Sequence, residues 1–383
     1  MSPVDVAPAV LDWAVRRGDV SPTDVRKKHP HFDDWRTGRA HPTLPQLESF
    51  AQTTNTPFGY LLLSQPPDEP IPVADFRVRG RGDSPRKSGN LLDQLFLCER
   101  RQDWYRDYAA EMGFEDIALV GSLTPRMPVE DAATQIRRDL KIEAGFASRL
   151  RTQGDMVSAL AQRIEDLGLL VMISGVVGTN NYRVLDVEEF SGFALADARA
   201  PLVFVNGSDT KRAQAFTLIH ELAHIYIGDS ALSQADPGDL ETRDHEDWCN
   251  GVAARTLVPA DELLAQTPRA ASTVDDLDRL ATHFKVSTLV ILRRMYEARV
   301  LSRDAFFPAY EREVDRLRQL PHADGPSGGS FYYTAPVRAS KRFTRAILQS
   351  TLEGNTLYRD AFAMLGTRKS ATLHALAEHL GVA

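Results

Sequence analysis

Cysteine is nearly absent. Cys98 and Cys249 are the only two among 383 residues, too few for a disulfide framework and in keeping with a reducing compartment. Long apolar runs are missing as well: no stretch approaches the ~20 residues that a membrane-spanning helix needs. Residues 1–20 lack the basic start and continuous apolar core of a signal peptide. The cytoplasm is therefore the expected location, with no membrane partner. Positive charge is not in excess either, because 45 Lys and Arg stand against 52 Asp and Glu for a net charge of −7. That balance argues against a chain that binds nucleic acid over its whole surface. What the sequence does have is 43% hydrophobic residues, enough for two or three cored domains.

The most informative stretch is AQAFTLIHELAHIY, residues 213–226, which carries His-Glu-x-x-His as His220, Glu221 and His224. On a helix, the two histidines leave one face about a turn apart, the spacing that a single zinc ion needs. Glu221 follows the first histidine directly and is placed to act as general base on a water molecule. Phe216, Ile219, Ala223, Ile225, Tyr226 and Ile227 keep a helical apolar period, and Gly228 closes the segment. Two histidines and a glutamate in a buried helix are costly unless they are paired or bind a metal. The pattern predicts a metallohydrolase, in the first place a peptidase, using Zn2+ with Mn2+ as the second ion considered.

A catalytic zinc of this type needs a third protein ligand. Candidates downstream are Glu241 and Asp244, placed in a loop, and His245, Glu246 and Asp247, placed at or near the start of the helical stretch HEDWCNGVAARTLVP. Cys249 reads as a small core residue. The HELAH helix followed by Glu246, Cys249, Asn250, Ala253 or Ala254, Leu257, Val258 and Pro259 resembles the ImmA/IrrE metallo-endopeptidases. That resemblance implies that the glutamate four residues before the asparagine, here Glu246, is the third ligand, with Asn250 behind it. It also implies a zinc-dependent endopeptidase of regulatory type, cleaving a specific protein such as a helix-turn-helix repressor or an antitoxin. The alternative is a DNA-binding transcriptional regulator, or antitoxin-like binding protein, that keeps the peptidase fold as a scaffold.

The rest of the chain is expected to frame this centre as an α+β fold, mostly helical, with a small sheet packed on the HExxH helix and all-α parts at both ends. Residues 1–66 read as short helices. Ser21 caps one that starts at Pro22, and Trp35, Gly38 and the Pro42-Thr43-Leu44 helix start resemble an Xre-type helix-turn-helix domain. Its seven basic residues are matched by seven acids, which leaves little for a phosphate contact. DNA binding through this domain stands beside protein docking or homodimer formation. A proline-rich and basic linker, 67–90, precedes the peptidase domain, 91–265. A helix-turn-helix-like segment, 266–320, carries Arg293, Arg294 and Arg299, and a small helical domain, 321–383, follows a Gly/Ser/Pro break. The runs 169–175, 190–197 and 201–206 are the expected strands, and SGFAL is the expected edge strand that would accept an extended substrate. Gly192 and Phe193 on that strand, with Asn181, Tyr182 and Arg183 in the preceding turn, are the substrate-binding candidates.

Overall fold

The structure is a computed structural model that describes residues 3–69, 87–233, 240–267, 274–319 and 330–382. Most of the expected linker, the tip of the loop after the HExxH helix, and the Gly/Ser/Pro break lie outside the described residues. Two compact units emerge: residues 3–69 with 87–96, and residues 97–382.

The first unit is helical: α1 Pro8–Arg17, α2 Pro22–Lys28, α3 Phe32–Arg36, α4 Leu44–Thr54 and a 3-10 turn, Phe58–Leu62. Local chemistry sets these boundaries. Ser21 accepts from the Thr23 amide with Pro22 at the first helical position, and Thr43 and Gln46 form a reciprocal capping box at α4. Trp13, Phe32, Trp35 and Phe50 fill the core, where Phe32 stacks on Phe50 at 5.5 Å. Several basic side chains are already neutralised. Arg26 pairs with Asp33 at 2.9 Å, Arg36 with Asp12 at 2.6 Å, and Arg39 with Asp34 at 3.1 Å.

α5, Gly89–Glu111, buries Leu91, Leu92 and Leu95, and from Leu97 onward belongs to the second unit. α6 Val129–Asp139, α7 Phe146–Arg149 and α8 Gln153–Asp166 follow. Three strands match the expected runs, β1 Leu170–Ser174, β2 Gly192–Leu195 and β3 Leu202–Asn206; then come α9 Lys211–Ile227 and a two-residue β4, Leu232–Ser233. The sheet order is β1-β3-β2-β4, with β1 and β3 parallel and β2 antiparallel to both its neighbours. The strand period of two divides the faces. Val171, Ile173, Ala194, Val203 and Val205 join the core that contains α9. Met172, Phe193 and Phe204 take the alternate positions; Phe193 stacks on Phe204 at 4.6 Å, and Met172 meets Cys98 of α5 at 3.8 Å.

Two sequence expectations change here. β2 is not the sheet edge, because Ala231 exchanges backbone hydrogen bonds with Ala194 at 2.8 and 3.1 Å, and β4 pairs with Gly192 and Phe193. Ala231–Ser233 was expected as loop, but its backbone completes the ladder. The next helix, α10 Leu240–Leu257, also starts earlier than expected, so Glu241 and Asp244 are helical rather than loop residues.

α11 Ala260–Gln266, α12 Val274–Phe284, α13 Thr288–Glu297 and α14 Arg303–Arg318 come next. α12 and α13 form the expected helix-turn-helix shape around Lys285 to Ser287, with Ser287 capping the Val290 amide. Arg294 is 2% exposed and donates to the Val258 carbonyl and to Glu297 at 2.8 Å each. Its work is packing.

The last four helices are α15 Phe331–Ala339, α16 Lys341–Leu352, α17 Tyr358–Leu365 and α18 Ser370–Leu380. They pack on the same unit as the sheet. Arg101 of α5 ties them down, donating to the Met364 carbonyl at 2.7 and 3.0 Å and to the Arg338 carbonyl at 3.2 Å. Burial lowers this guanidinium to about 10. Carbonyls stripped of a buried donor cost about 1–3 kcal/mol each, so Arg101→Leu should lose about 3 kcal/mol of stability in a urea titration of the full chain. A loss below about 0.5 kcal/mol, the range of neutral surface changes, would show that the clamp is dispensable. Among the described residues, no helix is long and apolar enough to cross a membrane.

Candidate metal centre

α9 begins where the Thr210 hydroxyl accepts from the Ala213 amide, and it ends at Gly228, whose φ of 72° suits the left-handed cap that glycine adopts without strain. Every residue from Thr217 to Tyr226 is buried. One face packs under the sheet, and α10 runs against another. This brings Glu246 of α10 to His220 and His224 of α9.

The three donor groups form a triangle whose Glu246 corner is shared by the two carboxylate oxygens. His220 Nε2 lies 3.2 Å from Glu246 Oε2, His224 Nε2 lies 3.3 Å from Glu246 Oε1, and the two Nε2 atoms are 3.2 Å apart. Bonds of about 2.0–2.1 Å to a tetrahedral zinc place neighbouring donor atoms about 3.3 Å apart, so the triangle has the size of one face of a zinc site. Each Nε2 meets its own oxygen of Glu246, and a cation shared by the three groups would also account for the approach of the two Nε2 atoms, a contact that no proton fills when both nitrogens donate to the carboxylate. Among the described residues, these are the only three His, Cys, Asp or Glu side chains grouped closely enough to hold a metal ion.

The electrostatics fit the same use. Burial raises the Glu246 carboxyl, but hydrogen bonds and charge from His220 and His224 outweigh it and hold it well below the usual carboxylate range. Burial lowers His220, yet Glu246 and Glu221 together raise it above its ordinary value, with a further hydrogen-bond contribution from Asn250. Asn250 thus stands one turn beyond Glu246, against the first histidine. Cys249 is fully buried, and burial followed by the charges of Glu246 and Glu221 pushes its thiol well up. Cys249 belongs to the core and lies outside the group of three donors.

Glu221 is completely buried. It lies under β2 at Gly192, where a Cβ would stand 3.0 Å from Glu221 Oε1, 2.7 Å from the Phe204 carbonyl oxygen and 2.5 Å from Thr217 Cγ2. Glycine is what allows the strand to pass this close to the carboxylate. Gly192 was singled out from the sequence as a substrate contact, whereas the structure sets it against the candidate base. No local sequence signal identifies Thr217, one turn before Glu221, as part of this packing.

The remaining candidates are placed elsewhere. Phe193 is fully buried on the alternate face of the sheet, stacked on Phe204, so its side chain offers nothing to a chain lying beside β2. Asn181, Tyr182 and Arg183 form a turn between β1 and β2. The Arg183 carbonyl accepts from the Val177 amide at 2.9 Å, the Tyr182 amide donates to Asn180 at 3.0 Å, and Asn181 accepts from Arg338 at 3.4 Å. Tyr182 itself is 98% exposed. These bonds tie the turn to itself and to the C-terminal helices.

A His-Glu-x-x-His helix beneath a small mixed sheet, with a carboxylate brought in by the next helix, is the arrangement expected of a metallopeptidase-type domain. Comparison of sequences agrees: residues 164–296, from the end of α8 to α13, match the peptidase family model described as the IrrE N-terminal-like domain. Residues 339–379 match a model described as a domain of unknown function. No curated protein matches the chain.

Proposed function

We propose that the chain is a zinc-dependent endopeptidase of regulatory type whose substrate is a specific protein, a helix-turn-helix repressor or an antitoxin. The observation that carries this reading is the triangle of His220, His224 and Glu246 donor atoms at 3.2–3.3 Å with Glu221 beside it. His220, His224 and Glu246 would hold the ion. Zinc bound there supplies Lewis-acid polarisation of a carbonyl and a lowered pKa for water. Glu221 accepts the proton of the attacking water on a carboxylate oxygen and passes it to the leaving amine. The buried position of Glu221 keeps bulk water from competing for that proton.

An extended substrate pairing at a sheet edge reads little side-chain sequence, so selectivity needs a second contact. The N-terminal helical unit supplies it as a protein-docking module. The pairing of Arg26, Arg36 and Arg39 with acids supports that role over phosphate binding.

The test is quantitative proteomics of cells carrying the wild-type chain or Glu221→Gln. A repressor or antitoxin truncated only with the wild type is the expected result, and identical fragment sets would sink the proposal. Gly192→Ala adds a second arm. The added methyl forces Glu221 or β2 to move, at an overpacking cost of about 1–3 kcal/mol. Zinc content should stay at the wild-type level while cleavage falls roughly tenfold or more, the usual penalty for displacing a positioned catalytic group.

A further inference from the structure

Away from the metal centre, α5, α8 and α16 enclose a cleft of about 290 Å3, near the lower end of the range for small-ligand sites. Its two walls differ in chemistry. One is aromatic, from Tyr105 and Tyr108 of α5 with Phe114 just beyond that helix. Tyr108 meets Phe114 edge-on at 6.3 Å, and its ring stacks on Trp104 at 5.3 Å. The opposite wall carries charge of both signs, Arg342 and Arg345 from α16 and Asp166 from α8.

The two arginines are not equivalent. Arg342 is fixed, donating to Tyr105 Oη at 2.7 Å and to the Glu165 carbonyl at 3.4 Å. Arg345, three residues on and on the same face, is exposed and makes no hydrogen bond or ion pair among the described residues. Glu165 is nine-tenths buried and already accepts from the Ser340 hydroxyl at 2.5 Å and the Arg342 amide at 3.3 Å, so it anchors α16 and leaves Arg345 uncompensated. Asp166 is held on one oxygen by Gln162 at 2.9 Å. Glu353, the other acid near Tyr108, accepts from Gln349 at 3.0 Å.

We propose that this cleft binds a free aromatic α-amino acid, with its carboxylate on Arg345, its ammonium on Asp166 and its ring against Tyr108 and Phe114. A flat ring suits the aromatic wall, and a zwitterion suits one cation and one anion facing the same small space. Because α8 and α16 both line the cleft, an amino acid bound to Asp166 and Arg345 braces the C-terminal helices against α8, the helix that packs on α9. The inference is independent of the peptidase reading.

The experiment is a titration of the full chain with phenylalanine, followed by tryptophan emission and by calorimetry, since Trp104 stacks on the ring that would receive the ligand. Saturable binding with a dissociation constant on the order of 0.1–1 mM is expected for a ligand of this size. It should weaken roughly tenfold in Arg345→Glu, as expected for one lost charge-assisted contact. Arg345 is exposed, so the variant should unfold at the wild-type temperature without ligand. 3-Phenylpropionate and phenethylamine, each lacking one charge, should bind more weakly than phenylalanine. The proposal is overturned if phenylalanine gives no saturable signal in either measurement, if Arg345→Glu binds it as well as the wild type, or if either single-charge analogue binds equally well.

Discussion

Glu221→Gln protein should contain as much zinc as the wild type and cleave its substrate about 10²–10⁴ times more slowly, the usual worth of a positioned general base. The side chain is completely buried beneath Gly192, and an amide of the same shape keeps that packing. It takes no part in the donor triangle, which is made by His220, His224 and Glu246. Metal and fold should therefore survive the change while the proton acceptor is lost. His220→Ala is the contrasting case, because it removes a corner of the triangle and should lose metal and cleavage together. The pair distinguishes an enzyme from a scaffold: if Glu221→Gln cleaved at the wild-type rate, or if the wild type itself cleaved nothing while holding zinc, the centre would be structural. Elemental analysis and a cleavage assay on the same preparations read both quantities.

Much of this arrangement was legible in the sequence, for physical reasons that can be named. The α9 helix announces itself through apolar periodicity, and Gly228 ends it where a positive φ is needed. The three strands stand out because β-branched and aromatic runs are flanked by turn residues, as in LVMIS and LVFVN. Ser21 and Thr43 mark helix starts because their hydroxyls have one clear local use.

What was not legible depends on contacts far apart in sequence. That β2 is covered follows from Ala231 to Ser233 folding back on it, and a two-residue strand carries no periodicity. Phe193 and Gly192 are neighbours with opposite fates because a strand alternates its faces; which face meets α9 is set by packing, not by the residues themselves. Arg294 illustrates the same limit. A basic residue near a helix end looks solvated in a sequence, but here the Val258 carbonyl and Glu297 draw it into the core. Arg101 is its counterpart in the middle of α5, buried to serve carbonyls more than two hundred residues away.

The third ligand is where sequence and structure bear on one another most directly, and Glu246→Ala measures it. Spacing alone left several acids and a histidine open between residues 241 and 247; the geometry singles out Glu246, both of whose carboxylate oxygens face an imidazole nitrogen within 3.3 Å. Alanine is the best helix former, so α10 should persist in the variant and the loss should be confined to the site. Removing an outer-sphere partner of a metal ligand commonly costs 10–100-fold in affinity, so removing a ligand itself should cost at least ~100-fold. Zinc should accordingly raise the unfolding temperature of the wild type, as a ligand bound only to the folded state must, and leave Glu246→Ala almost unmoved. Asp247→Ala and His245→Ala are the controls. Asp247 is exposed, and His245 faces Asp229 at 3.3 Å rather than joining the triangle; both variants should keep their zinc. If either control loses the metal while Glu246→Ala retains it, the carboxylate has been assigned to the wrong residue, and the 3.2–3.3 Å contacts would have to be read as hydrogen bonds of a protonated histidine pair.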